Sequence, residues 1–290
     1  MSALTPAHLD HRRLWRAFDY CYPVISRRSR GLSLGVNLNL NKVCNFNCVY
    51  CEADRISPPK RKDIDLDQLE AEMKFLLDLA ISGELFNLHP FSAVKTEQQT
   101  LNDLAFSGDG EPTTAKEFPE SVDRLAKLLR CFNLTNVKLV LITNATRLQD
   151  INVIKGIDAL MANNGQIWAK LDAGTENLYR AVNRSGILLE QIIKNLEFAG
   201  KRWPITIQTL FLEWECAAPS EQELDSYIDR LKYLLNSGAR LQGVQLYTVA
   251  RPTPEIGARP LPSAILDKIA NCVAKELSGI SVDVFYGSEA

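Results

Sequence analysis

VKLVLITN, residues Val137–Asn144, is a nearly continuous run of apolar side chains that ends on two polar residues. A strand with one face in water alternates apolar and polar side chains, and this run does not. We therefore expect both of its faces to be covered, as in a parallel sheet flanked by helices. The neighbouring segments agree, because Phe118–Phe132 and Leu148–Ala162 are both predicted to be helices.

The same alternation of strand and helix extends from this run in both directions. Further strands are predicted at Val36–Lys42, Asp103–Gly108, Gln166–Gly174, Pro204–Leu212, Gly243–Val249 and Ile280–Gly287. Further helices are predicted at Asp65–Ser82, in the stretch that ends at Ala199, at Glu221–Asn236 and at Ser263–Leu277. Residues 83–102 are interpreted as an insertion after the first helix.

These elements form about six βα units, fewer than the eight of a complete barrel. The predicted fold class is therefore α/β, a partial (βα)6 parallel barrel, with an open doubly wound sheet as the alternative. The predicted division is a short basic N-terminal arm at residues 1–30 and a core at residues 31–255. Residues 256–290 are predicted to be a C-terminal extension, a helix and a strand that complete the same domain.

Polar and chemically reactive residues follow the predicted strands at their carboxyl ends. A cysteine loop follows the first strand and GDGEP follows the second. Asn144, Asp172 and Arg251 stand at the ends of later strands. Ligands of parallel α/β folds bind beyond these ends, so we expect these residues to serve one site.

The cysteine loop, VCNFNCVYCEADR (Val43–Arg55), holds three thiols, Cys44, Cys48 and Cys51. A structural zinc site normally has four protein ligands, and no histidine or fourth cysteine is close by. An electron-carrier cluster also has four thiolates. Three ligands with one open position are instead typical of a catalytic metal centre.

The C-x3-C-x2-C spacing, with Tyr50 just before the last cysteine, resembles the radical S-adenosylmethionine (SAM) superfamily. This resemblance implies a [4Fe–4S] cluster on the three cysteines, with its fourth iron bound to SAM. It also implies reductive cleavage of SAM to a 5′-deoxyadenosyl radical that removes a hydrogen atom from a further substrate. The cofactor carries chemistry that side chains cannot supply.

The segment FSGDGEPTT (Phe106–Thr114) is similar to the GGEP motif of that superfamily, which contacts the amino group of SAM. Its implied SAM-binding residues are Gly108, Asp109, Gly110 and Glu111, with Asp109 in place of the usual second glycine. Glycine permits a positive φ and a close approach of backbone to ligand. An ordinary glycine turn is the alternative.

Five polar residues at later strand ends are implied to contact SAM. They are Asn144, Lys170, Asp172, Gln208 and Arg251. Asn144 and Asp172 suit the ribose hydroxyls, and Lys170 suits a carboxylate. The guanidinium of Arg251 can bind a carboxylate or phosphate with two donors. Each of these residues could instead be a polar cap or a surface ion pair.

The remaining cysteines form no second cluster motif; they are Cys21, Cys131, Cys216 and Cys272. We expect them to be small buried residues, with Cys216 also a candidate active-site thiol. Together with the segment upstream of the cysteine loop, the motifs resemble an uncharacterised radical SAM subgroup often linked to wyosine base formation in tRNA. The wyosine-forming enzymes use a second cluster with upstream cysteines, and only Cys21 lies upstream here.

Composition places the chain among ordinary globular proteins, with 46% hydrophobic and 23% charged residues. No secretory signal or apolar membrane segment is evident, so a cytoplasmic location is expected, without a membrane partner. Residues 1–62 carry eleven Lys and Arg against four Asp and Glu, a local charge of +7 within a net charge of −2. Such an arm could meet phosphate groups or simply lie solvated on the acidic remainder.

The predicted function is thus that of a radical SAM enzyme of the oxidoreductase type with an unidentified second substrate. The basic arm favours a tRNA base, whereas the acidic remainder favours a protein or peptide. An electron donor such as flavodoxin or ferredoxin is implied by the resemblance. The alternative from another class is a non-catalytic metalloprotein, either an Fe–S electron carrier or a structural zinc protein.

Overall fold

The computed structural model of the chain describes residues 6–9, 15–60 and 63–287. Residues 1–5 and 10–14 of the predicted N-terminal arm lie outside the described residues. The chain divides into two compact units. The first comprises Met1–Cys44, Ala53–Ile142 and Asp150–Gln166, and the second comprises Asn45–Glu52, Thr143–Gln149 and Ile167–Ala290.

The first unit is built on β1 to β4 and α1 to α4. Their bounds are α1 Pro6–Leu9, β1 Cys21–Ser26, β2 Gly31–Val36, α2 Leu66–Ser82, β3 Leu101–Phe106, α3 Phe118–Cys131, β4 Lys138–Thr143 and α4 Ile151–Met161. Strand β2 pairs antiparallel with β1 and parallel with β3, and β3 pairs parallel with β4. The insertion predicted at residues 83–102 holds three short 3-10 turns, and its last two residues already belong to β3.

The second unit continues the alternation. Its elements are β5 Gly165–Lys170, α5 Glu176–Asn183, α6 Leu189–Arg202, β6 Ile205–Leu210, β7 Leu212–Trp214, α7 Glu221–Asn236, β8 Leu241–Tyr247, β9 Ala258–Pro260, α8 Ser263–Glu276 and β10 Val282–Phe285. Strand β6 pairs parallel with β5 and β8, and β8 pairs parallel with β10. Strands β7 and β9 form a separate antiparallel pair. The predicted α/β alternation is therefore confirmed, with the stretch ending at Ala199 split into two helices.

The helix predicted at Asp65–Ser82 shows why local sequence was informative. The Asp65 carboxylate accepts hydrogen bonds from the backbone N–H groups of Asp67 and Gln68, which caps α2. Gly83 ends the helix with φ of 77°. Between these signals, residues spaced three or four apart, such as Leu69, Met73 and Leu76, are fully buried in the first unit.

The strand predicted at Val36–Lys42 is wrong, because the strand of this region is β2, which ends at Val36. The alternating pattern comes from asparagines that are buried in a loop. Asn37 Oδ1 accepts a hydrogen bond from the backbone N–H of Asn39, at 3.0 Å. Asn39 Nδ2 donates to Thr114 Oγ1, at 3.0 Å. Hydrogen bonds of the asparagine side chains thus take the place of strand pairing in this loop.

Residues 21–26, assigned from the sequence to the N-terminal arm, instead form the buried strand β1. Residues 21–26 are themselves apolar, and the sequence suggested an arm because the residues around them are basic. The division at residues 30 and 255 stays a prediction.

The turn between β1 and β2 carries three arginines, Arg27, Arg28 and Arg30. It directly precedes the first residue of β2, and Asn102 near the start of β3 donates to the backbone oxygen of Ser29 at 2.7 Å. The turn therefore lies at the amino ends of both strands. The six residues of β2 rise about 20 Å, so that distance separates the basic turn from the carboxyl end of β2, from which the chain continues to the cysteine loop.

Strand β1 is anchored to α2 by a buried carboxylate, that of Glu72. Its two oxygens accept the backbone N–H groups of Asp19, Tyr20 and Cys21 at 2.8 to 3.0 Å. Replacing Glu72 with leucine leaves these donors without their acceptor. We expect the free energy of unfolding to fall by about 3–5 kcal/mol in chemical denaturation. Glu70→Gln, which alters an ion pair with Arg124, should change it by no more than about 0.5 kcal/mol.

Candidate functional site

The GDGEP loop of the first unit contacts the residue that precedes Cys44. The backbone N–H of Glu111 donates to the carbonyl oxygen of Val43 at 3.0 Å. A Cβ atom at Gly110 would lie 2.1 Å from that same oxygen. Only glycine permits this approach, so the sequence of the loop is what allows it to pack against the start of the cysteine loop.

Asp109, the departure from the GGEP pattern, is bonded to Asn37 within the first unit. Its carboxylate accepts from Asn37 Nδ2 at 2.8 Å, and its N–H donates to Asn37 Oδ1 at 3.2 Å. A Cβ at Gly108 would lie 2.3 Å from that oxygen. Of the two features that glycine permits, a close approach is required at both Gly108 and Gly110, whereas of these two residues Gly108 alone has a positive φ.

Glu111 is 3% exposed and caps the short 3-10 turn Pro112–Thr114. Its carboxylate accepts from the Thr113 N–H at 3.2 Å and from Thr113 Oγ1 at 2.6 Å. This bonding fixes the direction of the side chain. A contact between Glu111 and SAM stays a prediction.

In the second unit, the middle of the cysteine loop is attached to the end of α5. The last carbonyl groups of a helix have no partner inside it. Here the carbonyl oxygens of Val182 and Asn183 accept the N–H groups of Val49 and Asn47, both at 2.9 Å. Cys48 is therefore held between two backbone anchors.

Tyr50, the aromatic residue of the motif, belongs to a buried polar cluster. Its hydroxyl donates to Asp172 Oδ2 and accepts from Lys170 Nζ at 2.5 Å. Asp172 Oδ2 also accepts from Asn183 Nδ2 at 2.8 Å, and its Oδ1 accepts from the Leu210 N–H at 2.9 Å. The carboxylate of Asp172 thus accepts hydrogen bonds from three residues of the second unit, and its side chain has no exposed surface.

Burial and charge set the protonation of this cluster. Burial raises the pKa of Cys48 to about 11, although the Lys170 ammonium opposes the shift. Burial, together with the Asp172 carboxylate, also raises the pKa of Tyr50 well above its usual value. Burial alone would lower the pKa of Lys170, but Asp172 raises it above the ordinary range. These shifts favour the neutral form of Tyr50, the charged form of Lys170 and, in the absence of a metal, the protonated thiol of Cys48.

The other predicted SAM contacts are engaged within the second unit. Asn144 Oδ1 accepts from the N–H and hydroxyl of Thr146 at 3.1 and 2.8 Å. Gln208 is fully buried and its Nε2 donates to Gln245 Oε1 at 2.7 Å. Their roles toward SAM stay predictions.

Arg251 is paired with Glu52, the residue after Cys51. Its Nε and Nη2 lie 2.8 and 2.6 Å from Glu52 Oε2. This is the ion pair considered from the sequence as the alternative to a ligand contact. It ties the loop after β8 to the end of the cysteine loop, and a contact between Arg251 and SAM stays a prediction.

The sequence suggested that the four scattered cysteines are buried, but the structure shows that not all of them are. Cys21 is buried, Cys272 is half-buried, and Cys131 and Cys216 are exposed. Cys216 has φ of 68° in a turn after β7, and its role as an active-site thiol stays a prediction. The expectation of burial is thus correct for Cys21 and wrong for Cys131 and Cys216.

A cavity of about 340 Å³ opens in the second unit next to Asp172. Its walls are mostly apolar, with Leu178 from α5 and Leu212 and Trp214 from β7. Glu223 of α7 also lines it, and accepts hydrogen bonds from the Thr175 N–H and hydroxyl. The cavity is large enough for a small organic group and lies beyond the carboxyl ends of β5 and β6.

Asn183 is the site residue that the sequence analysis missed. Its Nδ2 lies 3.5 Å from Cys48 Sγ, as well as bonding Asp172. In the sequence AVNRSG, the asparagine signals only the end of a helix. The structure agrees, because α5 ends at Asn183 and the next residue, Arg184, has a left-handed φ of 47°. Nothing local connects Asn183 to a cysteine 135 positions away.

The donor chemistry of the cysteine loop fits an Fe–S cluster, which is held by thiolates and tuned by hydrogen bonds to their sulfurs. Within residues 6–9, 15–60 and 63–287, no three His, Cys, Asp or Glu side chains are grouped as ligands of one metal ion. The cluster site on the three cysteines therefore stays a prediction from their spacing. Across the same residues, no helix is long and apolar enough to cross a membrane.

The chain belongs to the radical SAM superfamily, whose sequence profile matches residues 38–213. That range includes the three cysteines, the GDGEP loop, Asp172 and Gln208. The predicted fold, the partial (βα)6 barrel of the radical SAM core, and the assignment as an enzyme are confirmed by this membership. The reaction is unspecified by it.

Two of the curated relatives that the chain matches are UPF0026 proteins, whose names state no activity. The chain is 28% identical over 239 residues to the UPF0026 protein slr1464 of Synechocystis sp., covering 79% of this chain and 78% of that protein. It is 26% identical over 176 residues to the UPF0026 protein MJ1312 of Methanocaldococcus jannaschii, covering 60% of this chain and 47% of that protein. The chain thus spans about half of the archaeal relative.

Among solved structures, TYW1 with a lysine-pyruvate adduct bound is similar at a TM-score of 0.52 and 16% identity. The match covers 85% of this chain and 74% of that one. This similarity supports the same fold for this chain as for TYW1.

Proposed function

We propose that Cys44, Cys48 and Cys51 hold a [4Fe–4S] cluster whose open iron binds SAM. The observation that carries this proposal lies in the first unit, where the GDGEP loop packs on Val43, immediately before Cys44. The two segments that the superfamily uses for cluster and SAM are therefore neighbours. A metal that only supported the fold would not require this adjacency.

A reduced cluster held by Cys44, Cys48 and Cys51 would supply the electron for cleavage of SAM into methionine and a 5′-deoxyadenosyl radical, which would take a hydrogen atom from the second substrate. The chain's own residues bind and orient these partners. Gly108 and Gly110 let the loop backbone approach the methionine end. Asn144 is proposed for the ribose, and Lys170, Gln208 and Arg251 stay candidates for further polar contacts.

We propose a different role for Asp172 than the ribose contact expected from its position. Its carboxylate is buried and accepts from Tyr50, Asn183 and Leu210. Its side chain has no exposed surface to offer a ribose hydroxyl. Asp172 therefore acts through Tyr50, as a positioning residue that holds the ring beside Cys51.

The second substrate is proposed to be either a tRNA base or a protein or peptide, and the reductant a donor such as flavodoxin or ferredoxin. A wyosine-type second cluster is not proposed, because the upstream Cys21 is buried in β1 with its Sγ 3.5 Å from the Leu69 oxygen. The apolar cavity beside Asp172 is a candidate for a substrate side chain or base.

If RNA is the substrate, the basic turn contacts it away from the reacting base, because the turn lies at the amino end of β2. A variant with glutamine at Arg27, Arg28 and Arg30 should then flatten the dependence of log affinity on log salt concentration by about two to three units. Filter binding of tRNA at several salt concentrations measures this. Arg124→Gln, on α3, is the control. Salt-independent binding, or none, leaves the peptide substrate.

Metal analysis tests the proposed cluster. After anaerobic reconstitution, we expect iron and acid-labile sulfide in equal amounts, about four of each per chain. SAM should then change the electron paramagnetic resonance spectrum of the reduced cluster. One zinc per chain and no sulfide would contradict the proposal and favour a structural metal.

A further inference from the structure

We propose that Asn183 sets the reduction potential of the cluster through a hydrogen bond to Cys48. This inference rests on the proposed function, because it requires a cluster on Cys48. It concerns a residue outside both sequence motifs, and it assigns Asn183 as a positioning residue rather than a catalytic one.

The side chain of Asn183 is aimed at the middle cysteine by three contacts within the second unit. Its Nδ2 donates to Asp172 Oδ2 at 2.8 Å and to Cys48 Sγ at 3.5 Å, and lies 3.5 Å from Tyr50 Oη. The carboxylate can only accept, so the amide nitrogen must face it. The orientation of the amide is therefore fixed, and its second N–H is shared between the Cys48 sulfur and the Tyr50 hydroxyl oxygen, each 3.5 Å from Nδ2.

The backbone of Asn183 also helps to hold Cys48 in place. Its carbonyl oxygen accepts from Asn47, and the preceding carbonyl, that of Val182, accepts from Val49. Cys48 lies between these anchors, so its Cα cannot move far from the amide. The main chain of Asn183 thus helps to position the Cys48 thiol, and its side chain contacts that thiol.

The amide is retained at a cost to stability. Asn183 is fully buried, and its Oδ1 is among the buried side-chain atoms without a hydrogen-bond partner in the part of the chain that the structure describes. Leaving a buried acceptor unpaired costs about 1–3 kcal/mol, and leucine would fill similar space without that cost. A requirement for the N–H donor explains why an amide stands there.

A hydrogen bond to a ligand sulfur favours the reduced cluster, because reduction adds negative charge that the donor stabilises. Asn183 also stands between Cys48 and the Asp172 carboxylate, whose negative charge opposes reduction. Removing the amide removes the donor and leaves the carboxylate bonded by fewer groups. Both effects make the cluster harder to reduce.

The test is a redox titration of the reconstituted protein without SAM, followed by electron paramagnetic resonance. Asn183→Leu should lower the reduction equilibrium constant at least about tenfold, which is 59 mV for a one-electron couple. Asn183→Met gives the same test with a more adaptable side chain, should leucine not fit. Asn177→Leu, exposed on the same helix, is the matched control and should leave the potential unchanged.

Two outcomes would overturn the inference. One is a native potential in the variants at native iron and sulfide content. The other is failure of both variants to load a cluster, which would make Asn183 a structural residue. Neither affects the proposed function, which fails separately if the native protein itself binds no cluster.

Discussion

Replacing Cys48 with alanine is expected to abolish cluster binding while the protein remains folded. Even residues behind the metal ligands lower metal affinity about 10–100-fold when changed, so loss of a ligand should cost more. The fold should survive because the neighbouring N–H groups of Asn47 and Val49 keep their acceptors on α5. Iron and sulfide content and the visible absorbance of the reconstituted protein measure the effect.

Cys131→Ala is the matched control for this variant. Cys131 is exposed at the end of α3 and belongs to no motif. It should load iron and sulfide as the native chain does. Equal loss in both variants, or full loading of Cys48→Ala, would contradict the assignment of the three-cysteine site.

Replacing Gly110 with alanine is expected to separate the GDGEP loop from the cysteine loop. The new Cβ would lie 2.1 Å from the Val43 oxygen and 2.7 Å from Asn39 Cβ. Backbone must move to relieve such a contact, so the Glu111 N–H to Val43 oxygen bond should break. We expect a loss of about 1–3 kcal/mol in the free energy of unfolding and at least a tenfold loss of SAM affinity in calorimetry, since about 1.4 kcal/mol is tenfold.

Gly186→Ala is the control for the glycine substitution. Apart from Gly186 itself and its two chain neighbours, no atom of the described residues lies within 4 Å of a Cβ built at Gly186. It should leave both stability and SAM affinity near the native values. Native SAM affinity in Gly110→Ala would show that the close packing of the two loops is not part of the SAM site.

The fold was predictable wherever an element's own sequence carried the signal. VKLVLITN was recognised as a covered strand because β4 and its flanking helices need no distant information. The prediction failed at Val36–Lys42, where alternating asparagines produced a strand pattern. Their side-chain amides bond within the loop and to Asp109 and Thr114, which a periodicity argument does not see.

The candidate site was predictable in its motifs and unpredictable in what holds them. The spacing of the cysteines and the glycines of GDGEP are local features. The partners of Tyr50, by contrast, come from β5 and α5, more than a hundred residues later. Only the folded chain reveals that Asp172 is occupied by Tyr50 and that Asn183 reaches Cys48.

The most direct test of the central claim is reductive cleavage of SAM. The native protein, reconstituted with iron and sulfide without oxygen, is mixed with SAM and dithionite, and 5′-deoxyadenosine is measured by mass spectrometry beside Cys48→Ala. We predict 5′-deoxyadenosine from the native chain and none above background from the variant. A fully loaded native cluster that neither binds nor cleaves SAM would contradict the account and favour an electron carrier.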